Sequence, residues 1–321
     1  MTPEQLKLFP EGKTGRGSQG EFGPPVVESA PATPETSLAA ALWPFQDHMI
    51  RQGFTENTIK AFLSDLRLLG KYVGPRTPVG EIGTKKLNDF LTWMLHKRGV
   101  PCSPKTYARR VTTLKVFFGW LADSQVLPAD PAAPVIQQSV SAPLADILYD
   151  NQVEKILDIT CALLEAEKPD ARPHLLVSLL LQTGIKKGEC TKIEPRHIDT
   201  SDPQKPTLFI RYDNPRYQHK ERKLKLPTGW MPVFQQYQAQ YQPKERLFEC
   251  TARNLEYVLH DVAQRAGLPT LSFEMLRWTS AVRDYKASSM DHEKLRQKMG
   301  LSKVSWQETS RKLAKLAGPG L

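Results

Sequence analysis

Arg277 lies in the run SFEMLRWTS, a single arginine among apolar and small residues, with Glu274 three positions ahead of it. On a helix that spacing brings the two side chains to one face, where they can form an ion pair. Two further sets of cations are dense enough to meet a polyanion. Between residues 97 and 115 stand Lys97, Arg98, Lys105, Arg109, Arg110 and Lys115, with no acidic residue among them. Lys105 and Arg109 are one helical turn apart on a segment whose other side is apolar, so they can present charge together to a phosphate backbone. The second set, Arg211, Arg216, Lys220, Arg222, Lys223 and Lys225, runs along RYDNPRYQHKERKLK. Phosphate contacts from such side chains give affinity and salt dependence but carry no sequence information.

The overall charge agrees with a polyanionic partner. The chain carries +10, with 16 basic against 12 acidic residues through position 140 and 28 against 22 beyond it. Both halves are therefore basic, as expected if both touch one nucleic acid. The cysteines, Cys102, Cys161, Cys190 and Cys250, are far apart and form no C-x-x-C pair. They predict neither a disulfide framework nor a zinc site, and no metal or cofactor is expected. No apolar run reaches the roughly 18 residues of a membrane span, and no secretory signal pattern opens the chain. The expectation is a soluble cytoplasmic protein, nucleoid-associated if bacterial, with no membrane partner.

At 321 residues the chain is long enough for two domains, each with its own core. Residues 1–38 are rich in Gly, Pro, Ser, Thr and Glu and read as a disordered leader. Helical periodicity then sets in. Ile59, Phe62, Leu66 and Leu69 recur at three- and four-residue steps, with Gly70 and Gly74 as candidate stops. Leu87, Phe90, Leu91, Met94 and Leu95 make a second apolar face, closed by Gly99. A third begins at Ser103, a suitable N-cap before Pro104, and continues through Tyr107, Val111, Leu114, Phe118 and Leu121. With LWPFQDHMIRQG these predict a bundle of about four helices over residues 39–130. The Pro- and Ala-rich residues 131–145 read as a linker. In residues 146–321 helical patterns dominate, and PTLFIRYDN and HKERKLKLP alternate like the strands of a short hairpin. The predicted fold class is mainly α with a small β-sheet.

This order of elements resembles the tyrosine recombinase, or phage integrase, family. FTENTIKAFLSDLRLLGKYV and SPKTYARRVTTLKVFFGWLADSQVLPADPA are similar to its SAM-like core-binding bundle. LLLQTGIKKGECTKIEPRHID is similar to the opening of its DNA breaking-rejoining α+β catalytic domain, usually T-G-x-R-x-x-E followed by D-I-D. FEMLRWTSA resembles its H-x-L-R-H-T segment, and LRQKMGLS its L-G-H-S. The likeness spans roughly residues 42 to 315. It implies strand cleavage by a tyrosine that forms a 3'-phosphotyrosyl bond. Two arginines grip the non-bridging phosphate oxygens, a hairpin lysine protonates the leaving 5'-oxygen, and His or Trp donors assist.

Carried over residue by residue, this set is degraded. Lys186 stands at the first arginine position, where it keeps the charge and loses the planar fork. The hairpin lysine matches Lys220, with Arg216 next. Arg277 matches the second arginine, Trp278 follows it, and Glu274 stands where the family places His or Lys. A carboxylate about 5 Å from a phosphate costs on the order of 3 kcal/mol at an effective dielectric near 20. Leu301 occupies the histidine position of L-G-H. The nucleophile position, nine residues on, is Ser310, and the last tyrosine of the chain is Tyr285. Serine without a base to take its proton is a poor nucleophile. The resemblance and these departures together imply a duplex-DNA-binding protein without strand cleavage, accessory, regulatory or architectural in recombination or integration. Its DNA contacts would be the two cation sets together with Lys186 and Arg277. The alternatives are an active recombinase with a displaced nucleophile, and a protein-interaction scaffold that no longer binds DNA. Trp306, Leu313 and Leu316 give residues 306–317 an amphipathic character suited to self-association, to pairing with an active recombinase, or to folding back on the same domain.

Overall fold

The computed structural model describes residues 32–136, 143–287 and 291–318, so most of the expected leader and the middle of the expected linker lie outside the described residues. The chain divides into two units, Met1–Ala142 and Pro143–Leu321.

The first unit is a helical bundle: α1 (Leu38–Arg51), α2 (Glu56–Val73), α3 (Thr84–His96) and α4 (Pro104–Asp123). Each start has a local cause. Ser37, Thr55 and Ser103 cap α1, α2 and α4 by accepting a backbone N–H three residues on, and Pro104 supplies the fixed φ of a first helical position. Of the two glycines that could end α2, Gly70 lies inside it and is buried, whereas Gly74, at φ +99, terminates it. The helical periodicity translates into packing: Ile59, Phe62, Leu66, Leu69, Leu87, Phe90, Met94, Val111, Leu114, Phe118 and Leu121 share one core with Phe45 and Phe117. Leu95 departs from its predicted face and is exposed, one position beyond the buried Met94.

The bundle is longer than the sequence pattern indicates at both ends. Residues assigned to the leader bond to the loop before α3, with Val79 and Gly80 donating their N–H groups to the carbonyls of Thr36 and Pro34. Ala132 and Val135, assigned to the linker, are buried in the bundle core. Composition alone misreads both stretches because backbone pairing and two small apolar contacts hold them, and neither leaves a periodic signal.

The second unit contains α5 (Asp150–Ala162), α6 (Arg172–Thr183), α7 (Lys187–Cys190), strands β1 (Ile198–Asp199), β2 (Thr207–Ile210) and β3 (Arg222–Lys225), then α8 (Trp230–Tyr241), α9 (Ala252–Ala266), α10 (Phe273–Lys286), α11 (His292–Lys298) and α12 (Lys303–Ala317). Helix α6 is the centre, with Leu175, Leu176, Val177, Leu179 and Leu180 all fully buried, so it packs on neighbours over most of its circumference. The predicted hairpin forms between β2 and β3, and β1 adds a third antiparallel strand that two residues of pattern could not announce. Register pairs Phe209 with Lys223 and Ile210 with Arg222. Because side chains alternate across a strand, Leu208, Ile210 and Leu224 face the core while Lys223 and Lys225 face solvent.

Helix α12 packs on α10 of its own chain. Leu313 is fully buried against Ala281, Val282, Leu295 and Met299, with Trp306 and Leu316 at the margin. The apolar side on which self-association through residues 306–317 would draw is thus occupied within the chain.

Candidate functional site

The cations singled out from sequence separate into two groups with different surroundings. One group is turned inward. Arg277, on α10, is 7% exposed. Its Nη1 donates to the carbonyl of Gly184, the left-handed residue that ends α6, and its Nη2 to the carbonyl of Met299, the cap of α11, at 2.7 Å. The guanidinium therefore bridges the C-terminal, electronegative ends of two helices. The pairing with Glu274 suggested by their spacing does not form. Glu274 instead accepts a 2.8 Å bond from the indole Nε1 of Trp278, its i+4 neighbour, and stays exposed.

Lys186 and Arg222 join Arg277. Lys186 Nζ donates to the Gly300 carbonyl at 3.1 Å, and Arg222 Nε to that of Lys298 at 2.7 Å. Arg222 also forks onto Glu189, with Nη1 on Oε1 at 3.0 Å and Nη2 on Oε2 at 2.9 Å, both side chains being under a tenth exposed. Glu189 receives the Tyr212 hydroxyl and the Lys186 backbone N–H as well. Burial acts to raise the Glu189 carboxyl, but the Arg222 fork and these donors together outweigh it and hold it at about 2. Burial pulls the Lys186 ammonium down to about 8; Glu189 opposes this, while Arg277, Lys220 and Arg222 reinforce it. Glu189 is the final residue of the quoted T-G-x-R-x-x-E likeness, and its place there was the available signal for a role that sequence reading did not assign. Arg222, predicted to face DNA, is corrected by strand alternation: it points inward.

A cavity of about 460 Å³ opens beside this cluster, lined among others by Lys186, Lys187, His260, Ser272, Glu274 and Arg277. Glu256 also lines it and pairs with Lys187 at 2.8 Å. Two carboxylates thus stand among its cations.

The second group is turned outward. Arg211, Arg216, Lys223 and Lys225 are exposed, and Lys220 is partly so, lying over the Tyr217 ring at 4.7 Å. Lys223 and Arg211 lie over Phe209 at 4.5 and 5.6 Å. Arg211 has a carboxylate within ion-pair range, Glu221 at 3.7 Å. In the bundle, Lys97 and Lys105 are exposed, and Arg98 and Lys115 partly so. Arg109, expected to present charge together with Lys105, turns its guanidinium to a carboxylate while staying 38% exposed, and Arg110 joins it there. Both converge on Asp65, a carboxylate that is 5% exposed, at 2.5 and 3.3 Å, and Thr113 Oγ1 donates to it at 3.1 Å. Burial raises the Asp65 carboxyl despite these partners. Asp65 lies within the stripe Phe62–Leu66 that predicted the core, so sequence reading passed over it.

Ser310, which the sequence likeness matches to the nucleophile, sits within α12, and its hydroxyl donates to the Gln307 carbonyl at 3.2 Å. Tyr285 is inside α10, stacked on His292 at 5.3 Å. Leu301, partly buried, packs at the margin of the core beneath α12. Among the described residues no helix is long and apolar enough to cross a membrane, and no cluster of three or more His, Cys, Asp or Glu could hold a metal ion.

The mainly helical chain with a small antiparallel sheet and a capped N-terminal bundle has counterparts among known proteins. Residues 42–126 match the family model "Phage integrase, N-terminal SAM-like domain". The chain is similar to tyrosine recombinase XerC of Mycobacterium sp. (strain JLS), at 28% identity over 153 residues, 47% of this chain and 51% of that protein. XerC of Mycobacterium leprae (strain TN) shares 30% over 163 residues, 50% of this chain and 54% of its own. The chain thus spans about half the length of the curated relatives it matches. In fold it resembles the Tn1549 transposon integrase in complex with a circular intermediate DNA, at TM-score 0.69 and 16% identity over 87% of this chain and 95% of that one. It also resembles a lambda integrase dimer bound to a COC' core site, at TM-score 0.66 and 14% identity over 89% and 79%. Residues 42–126 thus carry the integrase SAM-like domain, and the chain is similar in sequence to tyrosine recombinases and in fold to integrases.

Proposed function

We propose that this protein binds duplex DNA without cleaving it and serves as an accessory, regulatory or architectural factor in recombination or integration. The observation that carries the reading is the nucleophile position. Ser310 occupies it, hydrogen-bonded along its own helix, and no tyrosine follows Tyr285 in the chain. A phosphodiester cannot be attacked without an activated oxygen, and no neighbouring charge replaces one. The DNA contacts assigned are the outward cations: Lys97, Arg98, Lys105 and Lys115 in the first unit, and Arg211, Arg216, Lys220, Lys223 and Lys225 in the second. Their support is exposure without burial in a protein core, together with relatives whose solved structures hold DNA. Arg109, Arg110, Arg222, Lys186 and Arg277, engaged by carboxylates or backbone carbonyls, are left out of this set.

Fluorescence anisotropy of a labelled duplex over a salt series tests binding, and a nicked suicide substrate tests cleavage. Affinity that falls steeply with salt, with no covalent adduct, is the expected pair of results. A covalent adduct on the nicked substrate would instead mean an active recombinase with a displaced nucleophile. Absence of duplex binding at low salt would leave a recombinase fold reused for protein contacts.

A further inference from the structure

The C-terminal end of α11 can be accounted for carbonyl by carbonyl. A helix leaves its last carbonyls without helical partners. Here Leu295 is still served by the N–H of Met299. Gly300, at φ +59, closes a Schellman turn: its N–H bonds to the Gln297 carbonyl, and the Leu301 N–H reaches back to that of Arg296. The next three carbonyls receive cations. Lys298 takes Arg222, Met299 takes Arg277 and Gly300 takes Lys186. The Leu301 carbonyl takes Arg296 at 2.6 Å. A compact row of partly negative oxygens, at the negative end of a helix, thus faces the positions that resemble a phosphate clamp.

We propose that this turn is an internal stand-in for phosphate. The chain fills its own cation cluster with the carbonyls of Lys298, Met299 and Gly300, so the cluster fastens α6, α10, α11 and β3 together and takes no part in holding DNA. Three features argue for a permanent arrangement. Glu189 already neutralises Arg222 through a two-pronged contact, which leaves the helix-end carbonyls as the acceptors of Lys186 and Arg277. A Cβ at residue 300 would lie 2.6 Å from Arg222 Nη1, so a larger residue there would push the guanidinium off its place against the turn. Glu274, bonded to the Trp278 indole, lines the adjoining cavity, and its charge opposes an incoming phosphate. Displacing the turn would leave three carbonyls unpaired in a region where Arg277 is almost wholly buried, and unpaired buried carbonyls are disfavoured.

The inference rests on the DNA-binding reading for one arm of its test only. The full chain, Lys186→Met, Arg277→Lys and Lys223→Ala are compared by thermal melting and by duplex anisotropy across salt. Arg277→Lys keeps the charge but cannot span two carbonyls. Expected are lower melting temperatures for Lys186→Met and Arg277→Lys, with duplex Kd within about two-fold of the parent and an unchanged salt slope; Lys223→Ala should instead melt like the parent and lose about 0.9 of slope. A tenfold or greater loss of affinity in Lys186→Met at an unchanged melting temperature would overturn the proposal, and that variant suffices if Arg277→Lys does not fold. Should the parent bind no duplex at any salt, the DNA-binding reading fails but the proposal is still decided with inorganic phosphate. A rise in melting temperature with phosphate in the parent that Lys186→Met lacks would refute it, and equal responses would support it.

Discussion

Strand β3 places two consecutive cations in opposite worlds. Arg222 points inward, its fork closed on Glu189 and its Nε on a helix-end carbonyl, while Lys223 points outward, over the Phe209 ring and exposed to solvent. One peptide bond separates a member of the fold's interior from a member of its charged surface. A run of basic residues therefore describes a partner only after the pleat has been applied to it, since alternate residues of a strand never share a face. The bundle repeats the lesson in helical form: Lys105 is exposed, and Arg109, one turn on, is drawn to the buried Asp65.

The sharpest way to test that contrast is to remove each cation in turn. Arg222→Ala strands a buried Glu189 and should cost about 3–5 kcal/mol in urea unfolding, while Lys223→Ala should stay within about 0.5 kcal/mol of the parent. Equal effects would erase the distinction. Next in size is Gly300→Ala. It adds a Cβ 2.6 Å from Arg222 at a positive φ and should cost about 1–3 kcal/mol, seen as a lower urea midpoint at unchanged m.

Proton linkage probes the interior side alone. Glu189 is held at about 2, below the usual carboxylate value of 4.5, so its contribution is complete above pH 4.5 and drains away as pH falls toward 2. Lys186 works the other way. With its ammonium at about 8 instead of 10.5, the unfolded chain binds the extra proton across that window, so the contribution of Lys186 to stability grows as pH rises from 8 to 10.5. Denaturation midpoints across pH should show both slopes in the parent, the acid one flattened in Glu189→Gln and the alkaline one in Lys186→Met. The smallest effect belongs to the outward side. Lys223→Ala and Lys225→Ala together should lower the log Kd against log salt slope by about 1.8 with melting temperature unchanged. A slope that does not move would remove the hairpin from the DNA interface.

Much of this was legible without coordinates. The helix start at Ser103 is local chemistry, and the stripes through Leu66, Leu69, Val111 and Leu114 follow from a 3.6-residue period, so the bundle and its core were readable, whereas Ser37, the cap of α1, fell within the stretch read as leader. The alternation in Thr207–Ile210 and Arg222–Lys225 was enough for a hairpin. The likeness around Lys186, Arg277, Leu301 and Ser310 also rests on residue identities and spacing alone.

What tertiary structure decided was the partner of each charge. Glu274 and Arg277 have the spacing of an ion pair, yet Arg277 instead finds the ends of α6 and α11, 93 and 22 residues away. Local spacing states which groups can meet. It does not rank them against groups brought near by packing, and a buried guanidinium goes to the acceptors that lie in the interior with it, leaving the exposed carboxylate to the indole of Trp278. Asp65, Glu189 and the carbonyls of Lys298, Met299 and Gly300 are acceptors of that kind, and only the assembled core places them opposite their cations.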